Sequence, residues 1–470
     1  MKKLSELYPV ESDVEIQGIK INSKEVKPGD LFVCTMGVTA DRHLFLEEAI
    51  QNGAVAAIVS RDVGNQPIPL IRVKDTNEEL RNVCAKFYDY PYQKAEMIGV
   101  TGTNGKTTVA EILYQLLGDD CAYLGTNGKK YKGKKESIRN TTPDVDRLYL
   151  YFDEFLKAGC HTICMETSSE AFFRHRLDQI TYDLAILTNI TQDHLNIHKT
   201  LENYIDCKCQ LFRQVKEDGY SILNSGDKYF ERVKSCAKGH LVTYGFSEED
   251  TLFIKGYQEE VDGTLVTFVY QNQEYQVKSP LVGSFNVLNL AASLLACFCR
   301  KMEIPDVLKR VEKLHQIEGR MEILPFTKEY TVMLDYAHTA DALEKILNYL
   351  NKVKKARIIT VTGSAGGRER EKRPLMGKVV LEKSDYVIFT MDDPREEDVN
   401  QIIDDLVSGT PKKNYERIVD RKGAIHKALS MAQKDDIVLI AGKGRDDYMA
   451  LGKEYVPYCD YDVIQEYYQK

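Results

Sequence analysis

Nowhere is the chain apolar for long. Its longest apolar stretch, Leu288 to Cys299, falls short of the roughly 20 residues that span a bilayer, and Ser293 interrupts it. That argues against membrane insertion and predicts a buried helix instead. The opening Met-Lys-Lys-Leu-Ser-Glu-Leu reaches charge at once and lacks the apolar core of an export signal, so a cytoplasmic location is expected. Positive charge is not in excess either, since 63 Lys and Arg against 71 Asp and Glu leave a net charge of -8. A general nucleic-acid binder needs a broad basic surface, so no nucleic-acid partner is expected, and small anionic substrates would need basic residues gathered locally. A disulfide pattern is also missing. Eleven cysteines, an odd number scattered over the whole length, suit reduced thiols. Cys207 and Cys209 are two positions apart, which on a helix turns them to different faces, so packing is expected rather than a metal pair. Internal repeats and low-complexity tracts do not occur.

What is present reads as a multidomain α/β chain. With 470 residues, 43% hydrophobic and 29% charged, it exceeds one ordinary core, and three domains are the working count. Short apolar runs at Val14 to Ile16, Asp30 to Cys34, Ala54 to Val59 and Ile68 to Val73, separated by Pro, Gly and charge, predict a small α/β domain. Ala95 to Val100 predicts a strand running into Thr101-Gly-Thr-Asn-Gly-Lys-Thr-Thr. Val109, Ile112, Leu113, Leu116 and Leu117 then recur with helical spacing. Thr162 to Glu166 and Leu184 to Asn189 are apolar runs that end in polar residues, as buried parallel strands do where their carboxyl ends face a ligand. From Gly319 onward, runs at 332–335, 357–363, 386–391 and 437–442 alternate with helical segments and predict a Rossmann-type sheet. The expected divisions are 1–94, 95–318 and 319–470.

The loop after Val100 carries the strongest chemical signal. Gly102, Thr103, Asn104, Gly105, Lys106 and Thr107, with Thr108 following, place two glycines where backbone must approach phosphate. Lys106 is set to reach the outer phosphates and Thr107 to bind Mg²⁺. A strict Walker A loop would have glycine where this chain has Val100, so the shorter form narrows the families. Glu166, Asp193 and His194 follow strand-like runs and could complete a Mg²⁺ shell, although each alone also fits a structural role. Tyr204, Lys208, Leu211 and Phe212 share one helical face. Spacing alone leaves two readings of Lys208: a snorkelling surface side chain, or a partly buried amine whose depressed pKa makes it nucleophilic.

Together these segments resemble the Mur ligase family over essentially the whole chain, most closely the UDP-N-acetylmuramoyl-dipeptide ligases that add the third amino acid. The resemblance rests on seven motifs in the family's order: Gly99 to Thr108, Asn140-Thr-Thr-Pro, Thr188 to Leu195, Tyr204 to Phe212, Gly283 to Asn289, Gly319-Arg-Met-Glu and Leu334 to Thr339. It implies a small N-terminal α/β domain for the uridine nucleotide, a central P-loop ATPase with a mostly parallel sheet, and a C-terminal Rossmann-like domain for the amino acid. By the same carry-over Lys208 becomes a carbamate that binds Mg²⁺ with Glu166, His194 and Thr107. Asn286 and Asn289 approach the adenine, and Arg320 and Asp335 complete the ATP site. Ser23, Thr141, Thr142, Ser168, Arg174 and Arg176 hold the UDP-linked precursor. The resemblance implies an ADP-forming ligase that uses ATP and Mg²⁺ on small-molecule substrates and works as a monomer. The precursor carboxylate would take the phosphoryl group and an amine would attack the acyl phosphate. Because water would destroy that intermediate, closure of the third domain is implied, with a hinge near Gly319-Arg320.

Two segments resemble those that recognise the third residue, Thr390-Met-Asp-Asp-Pro-Arg395 and Gly442-Lys-Gly-Arg-Asp446, giving Asp392, Asp393, Arg395, Gly442 and Asp446 as contacts. Arg395 suits the distal carboxylate of meso-diaminopimelate, whereas Asp393 and Asp446 suit a simple terminal ammonium such as that of L-lysine or ornithine. The balance predicts diaminopimelate. Two departures lie near the precursor: Glu170, where the family commonly has histidine, and Arg174, where glutamine is usual. A Mur-ligase paralogue with another substrate, a folylpolyglutamate-synthetase-like ligase and a nucleotide-binding paralogue without catalysis are the competing readings. Asn140-Thr-Thr-Pro argues against the second. Intact Lys106, His194 and Lys208 argue against the third.

Overall fold

In the C-terminal part, strand alternation sends successive side chains to opposite faces, and here both faces are apolar. Met333, Ile358, Val387, Phe389, Leu439 and Ala441 enter one core layer, while Val332, Leu334, Ile359, Val361, Ile388, Val438 and Ile440 enter another. A sheet that is apolar on both sides must be covered on both sides. The helices Ala340–Val353, Lys372–Lys383 and Val399–Val407 supply Leu343, Leu347, Val380 and Leu406 to the first layer. The helices Arg421–Met431 and Asp460–Gln469 supply Ile425, Leu429 and Ile464 to the second. The six strands run in the order Glu322–Leu324, Thr331–Asp335, Ile437–Ala441, Ile358–Thr362, Tyr386–Phe389, Tyr415–Arg417. The first pairs antiparallel with its neighbour and the rest are parallel. This is the Rossmann-type sheet predicted from the sequence.

The computed structural model describes residues 1–37, 40–260 and 263–469. The chain divides into two compact units. One is Met1–Gly99 with Gly118–Asp183 and Gln214–Lys216, and the other is Val100–Leu117 with Leu184–Arg213 and Glu217–Lys470. In the first, four parallel strands, Gly18–Lys20, Asp30–Val33, Ala56–Val59 and Leu70–Arg72, carry Phe32, Ala57 and Val59 against Leu46 and Ala49. Asp75 caps the helix Thr76–Phe87 by accepting from the amides of Asn77 and Glu78. In the same unit, the strand Thr162–Glu166 pairs in parallel with Cys121–Gly125.

In the second unit the loop 102–105 opens the helix Lys106–Leu117. The run Leu288 to Cys299 lies in the helix Ser284–Cys299, nearly all of it buried, as expected. Several strands had no counterpart in the sequence reading, among them Val215–Asn224 and a three-stranded segment that follows it. Leu252–Glu260, Gly263–Tyr270 and Gln273–Ser279 form an antiparallel meander, with a register shift between Ile254 and Gly256. Among the described residues no helix is long and apolar enough to cross a membrane.

Candidate active site

The phosphate loop is shaped by what a side chain would strike. A Cβ on Gly102 would come within 1.9 Å of the Thr188 hydroxyl, and one on Gly105, at φ +87°, within 2.5 Å of Asn289 Oδ1. Glycine is therefore required at both positions. The loop is clamped from the 188–191 segment. Thr103 N donates to Asn189 O (2.7 Å), Asn104 N donates to Asn189 Oδ1 (3.1 Å), and the Thr188 hydroxyl donates to Asn104 O (2.6 Å). Lys106 Nζ donates to the carbonyls of Gly102 (2.9 Å) and Thr103 (3.0 Å), so it curls over the loop it is meant to serve.

Lys208 resolves the choice that spacing left open. It is buried on the helix Leu201–Arg213, its Nζ donates to Gly102 O at 2.7 Å and lies 4.4 Å from the centre of the Tyr204 ring. Among the described residues no carboxylate forms an ion pair with it. Burial, followed by the charge of Lys106, pushes its pKa well below that of an ordinary lysine. A neutral amine is the form that adds to CO₂, so the site fits carbamate formation. Tyr204 is fixed by its hydroxyl, 3.0 Å from the Thr103 hydroxyl.

His194 sits at φ +56° on the turn before the one-turn helix Leu195–His198, with Nε2 3.5 Å from Asp193 Oδ2. Desolvation holds its pKa below the usual histidine range, Asp193 opposing and Lys106 reinforcing, so it is a neutral imidazole suited to bind a cation. Thr107 accepts from Arg320 Nη2 at 2.8 Å, and the Arg320 guanidinium lies over the Tyr336 ring at 4.8 Å. Asp335 accepts from the amides of Met321 and Ala337, both at 2.7 Å, and so orders the 319–321 segment. Asn289 Nδ2 donates to Asn286 Oδ1 at 2.9 Å, and Asn286 donates to Val282 O. Thr108 follows, buried, on the helix. The loop, Lys208, His194, Asn286, Asn289, Arg320 and Asp335 thus belong to one compact unit.

The expected precursor contacts, and Glu166, expected instead as a Mg²⁺ ligand, belong to the other unit. Glu166 is fully buried, accepting from the Tyr123 hydroxyl (2.7 Å), Thr126 N (2.8 Å) and the Thr126 hydroxyl (3.2 Å). Thr141 and Thr126 hydroxyls are 3.1 Å apart, Thr142 donates to Glu166 O, and Arg176 donates to Thr142 O while pairing with Asp144. Ser168 caps the helix Ser169–Phe173. Ser23 lies apart from this group, donating to Glu48 Oε2 at 2.5 Å. Arg174 donates from Nε to Glu170 Oε1 at 2.7 Å, so the two departures from the family pattern form one ion pair.

In the C-terminal part, Lys443 lies between the carboxylates that the sequence assigned to an incoming ammonium. Its Nζ donates to Asp393 Oδ1 at 2.9 Å and to Asp446 Oδ2 at 3.4 Å, with no side-chain exposure. Burial pushes Asp446 up to about 7, Lys443 opposing and the charges of Asp393 and Asp392 adding to it. A Cβ on Gly442 would meet Asp392 Oδ2 at 2.3 Å. Arg395, at φ +51°, is pinned by its own backbone: its amide donates to Ala450 O and its carbonyl accepts from Gly452 N. Its Nη1 donates to Gly366 O at 2.5 Å. Sequence reasoning missed Lys443, although a lysine between two glycines inside the recognised segment was the available signal. It also missed Tyr123 and Thr126, for which spacing gave none.

Comparison with known proteins shows the family to which this fold belongs. Family descriptions match in chain order: "Mur ligase family, catalytic domain" over residues 15–99, "Mur ligase middle domain" over 100–297, and "Mur ligase, glutamate ligase domain" over 319–444. A curated UDP-N-acetylmuramoyl-L-alanyl-D-glutamate–2,6-diaminopimelate ligase of Bacillus cereus is 36% identical over 470 residues, covering 98% of this chain and 96% of that protein. A solved structure of a ligase with the same description is 28% identical with a TM-score of 0.67, covering 100% of this chain and 99% of the other. A MurF ligase from Thermotoga maritima, solved in complex with ADP, is 20% identical with a TM-score of 0.69 over 97% of this chain and 98% of that one, and so shares the fold. With near full-length identity above 30% and all three domain types in order, the chain belongs to the Mur ligase family.

Proposed function

We propose that this protein is the ATP-dependent ligase that joins meso-diaminopimelate to UDP-N-acetylmuramoyl-L-Ala-D-Glu. The observation that carries the choice of amino acid is the contrast around Arg395. Among the described residues no carboxylate forms an ion pair with Arg395, while the two carboxylates that would favour lysine, Asp393 and Asp446, already hold Lys443. A rigid guanidinium with no protein carboxylate partner suits a substrate that brings a distal carboxylate. Lysine and ornithine bring none.

The chain's own residues divide the work. Lys106 leaves the carbonyls of Gly102 and Thr103 for the outer phosphates of ATP, and Arg320 adds positive charge beside Thr107. Thr107, His194 and Lys208 as its carbamate are the residues that would hold Mg²⁺ in this unit, and the family resemblance alone assigns Glu166 with them. The ion, when bound, neutralises phosphate charge as the precursor carboxylate attacks. Thr141, Thr142, Ser168, Arg174 and Arg176 are assigned to the precursor, with Ser23 at its uridine end. We read the chain as three domains at 1–94, 95–318 and 319–470, a division supported by the matched ranges, and as a cytoplasmic monomer.

The test is incubation of the purified protein with ATP, Mg²⁺ and the UDP-linked dipeptide, with meso-diaminopimelate, lysine, ornithine or nothing added, reading ADP and product mass. Only the diaminopimelate tube should yield ADP with the matching mass gain. Arg395→Ala should lower kcat/KM for diaminopimelate by about 100-fold, the loss of one charge-assisted bidentate contact, with little change in KM for ATP. A wild-type protein that uses lysine equally well overturns the assignment of the amino acid.

A further inference from the structure

The first amide of a helix has no partner within the helix. At the turn that carries His194 this amide, Leu195 N, is taken by the carboxylate of Glu369, 174 residues away in the sequence. We propose that Glu369 is a positioning residue. It holds the Asp193–His194 turn in the geometry needed at the nucleotide, so that the amino-acid segment and the phosphoryl-transfer site are set together. This inference rests on the ligase reading and deepens it.

Three observations support it. His194 adopts a left-handed conformation, φ +56°, which a non-glycine residue keeps only when its surroundings enforce it. The hydrogen bond from Leu195 acts one residue beyond that strain and opposes its release. Glu369 also lies near enough to Tyr204 for its charge to act on the phenol, and Tyr204 is the ring against which Lys208 packs. One carboxylate therefore touches the turn and neighbours the residue that orients the lysine.

The segment bearing Glu369 is not a loose loop. Arg373, fully buried, donates to Glu397 (2.9 Å), Asp405 (2.8 Å) and Ala365 O (3.2 Å). Glu397 in turn accepts from Gly367 N and Arg370. Gly366 N donates to Asp393 O at 3.0 Å, and Gly366 O accepts from Arg395. Arg395, assigned to the amino acid, is thus hydrogen-bonded to Gly366, three residues along the chain from Glu369, and Glu369 accepts from Leu195 beside His194. Sequence pattern could not reveal it, because its two ends meet only in the fold.

The experiment compares Glu369→Ala and Glu369→Gln with the wild type in the full-length protein. Hydrogen exchange of the 190–200 segment reads the contact directly. The Leu195 amide should exchange at least about 10-fold faster in E369A and near the wild-type rate in E369Q, whose amide oxygen still accepts. Calorimetry should show Mn²⁺·ADP binding weakened by about 10-fold in E369A, with metal-free ADP binding unchanged, as for other residues that orient a metal ligand. Turnover should fall about 10- to 100-fold in kcat, with KM for the precursor and diamino acid within about two-fold of wild type. Unchanged exchange at Leu195, or unchanged Mn²⁺·ADP affinity, overturns the proposal. So does an E369Q variant as impaired as E369A. If the wild type forms no amide product, the ligase reading fails, while exchange and Mn²⁺·ADP binding still decide the role of Glu369.

Discussion

Lys208→Met is expected to cost turnover on the order of 10² to 10³-fold or more, the scale of losing a charge-stabilising group in phosphoryl or acyl transfer, and at the same time to stabilise the protein. Both effects come from one fact: the amine is buried against Gly102 O with Lys106 nearby and no carboxylate paired to it among the described residues. Burial depresses its pKa, so the unfolded chain holds a proton that the folded chain gives up. The destabilisation is therefore largest at low pH and fades as pH rises toward the ordinary lysine value. Methionine removes that cost and fills nearly the same volume. Arginine keeps a charge but cannot become a carbamate, so Lys208→Arg should also lose turnover. The measurements are ADP release, thermal unfolding at pH 6 and 8, and a ¹³C carbamate resonance after incubation with ¹³C-bicarbonate. A wild type without that resonance, together with an active methionine variant, would sink the carbamate assignment.

Replacing Asp146 should raise stability by about 3 kcal/mol near pH 8 and by almost nothing near pH 4. Asp146 lies on the helix Val145–Lys157, only 4% exposed, and its Oδ1 has no hydrogen-bond partner among the described residues. Burial, with Asp144 adding and Arg147 opposing, pushes its carboxyl up to about 6 from the ordinary 3.8. The sign follows from proton counting. Between those two values the folded protein holds a proton that the unfolded chain has lost, so stability falls as pH rises through that window and is flat above it. The difference of about two pH units corresponds to about 3 kcal/mol. Asp146→Leu or Asp146→Asn removes the carboxylate and with it the pH-dependent loss. Urea unfolding of variant and wild type at pH 4 and pH 8 checks this, followed through tyrosine because the chain has 28 Tyr and no Trp. A gain of equal size at both pH values would assign the effect to packing and not to ionisation.

Local signals were legible and distant ones were not. Gly102, Gly105 and Lys106 could be read because a strand, a glycine loop and a helix follow each other directly, whereas the apolar helical face around Lys208 left its burial open and only the family resemblance gave it a role. The Rossmann-type sheet was legible because its strands are apolar on both sides. The meander at 252–279 alternates less clearly and lies between stronger motifs. Asp393 and Asp446 were read as open carboxylates, since sequence distance hides that Lys443 lies between them at hydrogen-bonding range. The Glu369 contact to Leu195 spans 174 residues and has no local signature. In physical terms, periodicity reports which face of an element is buried, whereas the partner across the fold depends on tertiary packing.

The ion pair between Glu170 and Arg174 has a consequence for how such a sequence can change over time. Each residue departs from the family pattern by introducing a charge, and each supplies a counter-charge to the other in a partly exposed position. A lineage that acquired only one would lack this pairing, so the effect of either substitution depends on whether the other is present. Back-mutating them singly would make each look harmful, whereas reverting both at once would reveal how much the pair itself contributes.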